Sequence, residues 1–447
     1  MLYVGFSRQD MTPNKTVPLA GYGNDAARLS ERVLHPVTVT CIAFRDADGT
    51  TALVFTQDLC LNSRAHTDLL KKLLEVKLGV SPANVFLHSI HSHEAPSASL
   101  PLDHPLALEW VENQYRPAVL RAAEEAIADL AESEIYAGKN EIYEFNYVRR
   151  YLDADGNFIT RNKVDLDPTG VTHESEPDRE LQVLRFARQG KKDIVLVNFQ
   201  SHPSGFLDGS KATVLSADYP HFLRRAVELS EGVHCAFIQG AAGNLVFGGH
   251  LPGERTYKNW DRALACDYYG TELGKKVLEV LAFRMQKLEA GKIRIRQRDV
   301  TMAINHAEDG RLEDARAVND VFLSGDTAGA KALAKEKGFF SIYHCRDICG
   351  RAVMPETKSV PMRAMTIGDV GFGFAPYEMF AENGAFVKEN SPCRMTFICE
   401  LTDDYLRYMP SDIAFPHGGY EVLGCLFSRG VGETLAENML EAIRECK

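Results

Sequence analysis

The sequence predicts an α/β protein built from layers of strands and helices. Three observations carry that expectation. Short apolar runs, β-branched or aromatic and bounded by turn residues, recur along the 447 residues. Segments with apolar residues at helical spacing lie between them. Hydrophobic residues at 45% and charged residues at 25% are ordinary for a packed soluble protein of this length.

The opening MLYVGFSRQDMTP moves straight into a strand-like run and a turn. VTVTCIAF (37–44), TALVFTQ (51–57), NVFLHSI (84–90), DIVLVNFQ (193–200) and HCAFIQG (234–240) read as buried strands. AHTDLLKKLLEVKLG, ALEWVENQYRPAVLRAAEEAIADLAES and YPHFLRRAVELSEG read as helices between them. From about 304 to 345 the chain turns charged and alanine-rich, in LEDARAVND and AGAKALAKEKG, which predicts a helical insertion or lid. Strands return in PMRAMTIGDVGFGFAP and CRMTFICEL, and the amphipathic GVGETLAENMLEAIREC closes the chain as a helix. With no repeat, low-complexity linker or boundary, residues 1–447 are expected to form one domain.

A net charge of -11 without any Lys/Arg block argues against broad binding to nucleic acid or anionic lipid. A small-molecule partner is the expectation. No export signal is visible, and no apolar run reaches the roughly 20 residues of a membrane-spanning helix. The ten cysteines are scattered, several inside apolar runs, a pattern that suits a reducing cytoplasm. His344, Cys345 and Cys349 are the one tight Cys/His group, but their spacing is poor for a zinc finger.

The chemistry concentrates in HSIHSHEAPS, where His88, His91 and His93 follow an apolar run. If the strand persists, its period of two puts His91 and His93 on one face and His88 on the other. Glu-Ala-Pro then breaks the strand and places the pair at a strand end, where α/β folds build sites. VLVNFQSHPSGF repeats the layout with His202, and GDVGFGFAPYEMF supplies Glu378 after a glycine-rich strand. Two imidazoles and a carboxylate suit a divalent cation. Histidines bonded to carbonyls and a helix N-terminal glutamate are the alternative, and no Walker A loop, H-E-x-x-H or G-x-S-x-G motif decides between them.

The order of the pieces resembles the neutral/alkaline (non-lysosomal) ceramidase family over nearly the whole chain. The match runs through GFSRQDMTP...VPLAGYG, FTQDLC, HSIHSHEAPS, NYVRRY, QSHPSG, SADYPHFLRRAVE, QGAAGN, APYEMF, DDYLRYMPS and GGYE. The resemblance implies a catalytic domain of layered mixed sheets flanked by helices, holding Zn2+. Carried over by position, it implies His91, His202, Glu378 and Tyr408 as metal ligands. It implies His93 as the group that moves protons, with Arg149 and Tyr420 facing the substrate carbonyl; Arg150 is an equal candidate for the arginine. A phenolate ligand is chemically reasonable because a divalent cation lowers the pKa of a bound donor.

The chain also departs from that family. GNLVFG puts Val246 where ceramidases carry a serine discussed as a nucleophile, and Asn244 where they carry an aspartate. The C-terminal β-sandwich domain of full-length ceramidases is not expected after GGYE. The expected activity is therefore zinc-dependent hydrolysis of an amide bond in an N-acyl or lipid-like substrate by an activated water. A metal-dependent esterase of the same fold, or an inactive small-molecule binding protein, are the alternatives.

Overall fold

The computed structural model describes residues 1–23, 27–204 and 212–447. Its larger sheet has the strand order His234–Gln239, Ile194–Phe199, Glu180–Arg188, Ala131–Glu141, Leu2–Asp10, Thr38–Asp46, Thr51–Gln57, Val85–Ser89. The centre is antiparallel and the last pair at each edge is parallel, so the sheet is mixed. A smaller sheet runs Ile293–Ala303, Thr357–Ile367, Val370–Phe374, Met395–Cys399, again with a parallel pair at one edge.

Side-chain alternation explains how the sheets stack. Along Thr38–Asp46, Ile42 and Phe44 face the smaller sheet, while Val39, Cys41 and Ala43 face the helices Arg64–Leu78 and Arg116–Ala128. Phe86 stacks on Phe374 across the sheet–sheet interface with ring centroids 3.9 Å apart. The helices Tyr219–Glu231 and Arg262–Phe283 cover the other half of the larger sheet's outer face. The helix Val431–Glu445 covers the outer face of the smaller sheet. The result is a helix–sheet–sheet–helix sandwich.

The predicted buried strands all form. So do the helices at Arg64–Leu78 and Tyr219–Glu231. The long helical pattern after Ala107 ends early, because the chain becomes the strand Ala131–Glu141. There Ile135 and Ala137 face the core, and ladder bonds to Glu180–Arg188 outweigh helical propensity. Pro117 also leaves the Asn113 carbonyl without its helical donor, and the turn Val111–Tyr115 just before it is π-helical. Between Leu312 and Arg351, three helices pack on one another around Ala315, Ala330 and Ile348. This helical run extends past the expected limit of 345.

Candidate functional site

The site lies where strands of the parallel pairs at the edges of both sheets end. Val85–Ser89 leads to His91 and His93, Ile194–Phe199 to His202, and Val370–Phe374 to Glu378. His88 joins these edges: its Nδ1 donates to the Glu400 carbonyl at 2.7 Å and its Nε2 accepts from the Gln239 amide at 3.0 Å. Fully buried with both nitrogens engaged, it is held neutral, its pKa pushed down to about 3 chiefly by burial.

His91 and His93 converge by a different route from the one alternation predicts. The strand ends at Ser89, and His91 turns left-handed at φ 69°. A left-handed histidine is strained, and surroundings must hold it. The Leu59–Cys60 segment does so: the His91 amide donates to the Leu59 carbonyl and Nδ1 to the Cys60 carbonyl, each at 2.9 Å. That leaves His91 Nε2 facing Glu378 Oε2 at 3.3 Å. His202 differs in detail: Nδ1 points toward the Ala242 carbonyl at 3.4 Å and lies 3.9 Å from Glu378 Oε2, while Nε2 is 3.0 Å from His93 Nε2. His93 Nε2 is also 3.2 Å from His91 Nε2.

This arrangement fits a metal. Backbone carbonyls fix the Nδ1 atoms of two imidazoles and so turn their Nε2 atoms into the cluster, which is how metal-ligating histidines are held. Among the described residues, Glu378 Oε2 is buried without a hydrogen-bond partner, whereas Oε1 accepts from Tyr405 at 3.0 Å. His91, His202 and Glu378 offer one donor atom each, all within 4.8 Å of one another. Cys60, His91 and His93 form a second such group, but the Cys60 sulfur sits 3.5 Å from Nδ1, the nitrogen already committed to a carbonyl.

Charge in the cluster divides unevenly. Burial opposes charge on His91, but Cys60 and Glu378 outweigh it and raise its pKa well above the usual imidazole value. Burial and the charge on His91 hold His93 and His202 well below theirs. Tyr408 arrives beside Glu378 through the parallel bridge Glu378–Met379 with Tyr408–Met409. Burial and the nearby Glu378 carboxylate push its phenol well above 10 against the pull of Arg149, so a phenolate there needs a further cation.

Arg149 follows Tyr147–Val148, which pairs with Leu245–Val246. Its Nε donates to Glu421 at 2.9 Å, and Nη2 donates to the Gly243 carbonyl at 2.8 Å and to the Tyr408 hydroxyl at 3.2 Å. Arg150 points the other way, fully buried between Glu174 and Glu421. Arg149, not Arg150, therefore lines the cavity. Tyr420 meets Tyr408 edge-on with centroids 5.6 Å apart and is 46% exposed toward the same space.

Val246 is a buried strand residue, and Asn244 is occupied by Glu382 and the Ala381 amide. Neither offers a nucleophile. Several supporting residues escape sequence reasoning. Arg28 donates to the His93 carbonyl at 2.6 Å, and the Glu400 carboxylate accepts from the Ala242 and Met379 amides. No local pattern announces either one. Tyr405 and Glu421 lie within the quoted DDYLRY and GGYE segments, where adjacency was the available signal.

Among the described residues, no helix is long and apolar enough to cross a membrane. No protein-family model matches the chain, and no curated protein does. Solved structures do match. A neutral ceramidase from Pseudomonas aeruginosa is 18% identical, with a TM-score of 0.74 over 99% of this chain and 74% of that one. A ceramidase complexed with C2 is 18% identical, with a TM-score of 0.75 over 99% of this chain and 75% of that one. The two-sheet sandwich, with its donors gathered at the ends of parallel strand pairs, is the neutral-ceramidase-like fold.

Proposed function

We propose that this chain is a zinc-dependent hydrolase that cleaves a linear amide bond in an N-acyl substrate. The observation that carries the reading is the buried, unpartnered Glu378 oxygen facing two carbonyl-anchored imidazoles, His91 and His202. These three residues and Tyr408 would hold the cation. When bound, it supplies Lewis acidity that activates water and polarises a carbonyl at neutral pH.

The remaining chemistry belongs to side chains. His93 differs from the two anchored histidines because its buried Nδ1 has no hydrogen-bond partner among the described residues. Its Nε2 faces the cluster, and we assign that atom to accept a proton from water and return it to the departing amine. Arg149, held by Glu421 and Gly243, and the Tyr420 hydroxyl would donate to the oxyanion. Donors fixed before reaction can each be worth roughly 3 kcal/mol to the transition state. Catalysis by a serine at the Val246 position has no support in this chain.

The test separates metal retention from chemistry. Purified protein should carry one zinc per chain by elemental analysis, lose turnover of N-acyl amides to a chelator and regain it with Zn2+. His91→Ala should lose the metal, whereas His93→Gln should keep it and lose about 10²–10⁴-fold in kcat. A His93→Gln protein with unchanged kcat, or full activity without metal, would overturn the assignment. Matched esters run beside the amides decide between amidase and esterase.

A further inference from the structure

The cavity beside the candidate metal cluster encloses about 770 Å³, in the range of small-molecule sites. Its floor is His93, His202, Arg149 and Tyr408; its roof is Phe322, Lys331, Ile342 and Tyr343 from the three-helix segment. The rings Tyr22, Phe322, Tyr343 and Tyr420 provide apolar walls. The charges around it are less expected. Lys331, on the exposed side of the helix Thr327–Glu336, has no ion-pair partner among the described residues. Arg407 also lines the cavity, bound by one nitrogen to Asp347 at 2.9 Å and still 42% exposed. Arg346 lies behind, its guanidinium 5.2 Å from the Phe322 ring centroid and 5.9 Å from that of Tyr343.

Among the described residues, the acids that contact these cations and their neighbours are engaged: Asp347 by Arg407, and Glu421 by Arg149 and Arg150. Among the described lining residues, the cations Arg149, Lys331 and Arg407 outnumber the acid Glu421, which on a chain of net charge -11 is not what composition would place there. Clefts lined by one sign of charge concentrate ligands of the other.

We propose that the site selects amides bearing an anionic group, a carboxylate above all, and that Lys331 at the cavity roof together with Arg407 in its lining makes the choice. The inference rests on the hydrolase reading and narrows it: a neutral lipid amide uses the walls but leaves the cations without a counterpart. Either half of the substrate can carry the carboxylate, so the test includes both arrangements.

On the zinc-loaded protein, N-decanoylglycine is compared with N-decanoylglycinamide, and the mono-butylamide of decanedioic acid with its methyl ester. Each pair is measured by kcat/KM and by calorimetric binding. In at least one pair the acid should be favoured by about 10-fold, as a charge-assisted hydrogen bond requires, and the margin should shrink with added salt. In Lys331→Gln the ratio should fall to near parity, with an unchanged melting temperature showing that the fold persists. Equal treatment of acid and neutral partner in both pairs, or a ratio unmoved in Lys331→Gln, overturns the proposal while hydrolysis itself stands. Charge-selective binding without turnover of any of the four compounds supports the selection and sinks the hydrolase reading instead.

Discussion

Gly21 shows how closely the backbone is fitted around the proposed proton carrier. It adopts φ 116°, and a Cβ built there would lie 2.6 Å from both Cγ and Nδ1 of His93. Only glycine satisfies both conditions. Gly21→Ala should displace the His93 ring while leaving His91, His202 and Glu378 alone, so metal content should stay at the wild-type value. A shift of about 1 Å in a reacting group can cost about 100-fold, and a fall of that order in kcat is the expected result. Loss of metal together with activity would show instead that His93 belongs to the ligand set. The same scale explains His91: its left-handed conformation is maintained by hydrogen bonds it donates to the Leu59 and Cys60 carbonyls, so FTQDLC matters through its carbonyls rather than its thiol.

At the scale of elements, the helices Tyr219–Glu231 and Arg262–Phe283 pack closely over the sheet half that carries His202. The approach depends on Gly270, where an added Cβ would meet the Tyr219 carbonyl oxygen and lie 2.7 Å from Phe222 Cβ. Backbone cannot yield as a flexible side chain can, so Gly270→Ala should destabilise by about 1–3 kcal/mol, read from the denaturation midpoint. The Tyr219 and Tyr269 hydroxyls bond Ser201, the residue before His202, at its carbonyl and hydroxyl respectively. A strained helix pair should therefore also weaken metal retention. The short bridges are as informative as the long strands: two residues of Tyr408–Met409 suffice to lay a second candidate ligand beside Glu378.

For the whole molecule, the two sheets are stapled by a buried charge network. Arg363, in the smaller sheet's strand Thr357–Ile367, donates to the Val85 carbonyl of the larger sheet and pairs with Asp403. Asp403 also binds Lys71 at 2.8 Å and accepts from the Leu87 amide at 3.0 Å. Burial works against charge on Asp403, but Lys71 and Arg363 outweigh it and hold its pKa below the usual value. Such a group contributes stability that is fully present above its unfolded pKa of about 3.9 and is lost as pH falls through the lower folded value. Asp403→Asn keeps an acceptor for Leu87 and suits the left-handed φ of 72°, but leaves two cations unpaired. Its cost should be about 3–5 kcal/mol near neutral pH, with a flatter acid limb in the plot of stability against pH. Equal stability of the two proteins at pH 7 would show that the staple is dispensable.

The sequence by itself determined the α/β layering, the buried strands and the positions of His91, His93, His202 and Glu378 at strand ends, because period-two and helical patterns and turn residues are local signals. Long strands with one polar face, such as Ala131–Glu141, escaped because half their residues read as surface. Tertiary structure alone decided that four strand ends, more than 250 residues apart at the extremes, meet at one cluster. It also decided which of Arg149 and Arg150 faces the cavity, and placed Arg28 and Glu400 behind the histidines. The reason is physical: donor type and strand termination are written into neighbouring residues, whereas convergence depends on how the two sheets stack, and that is set by the summed packing of the core.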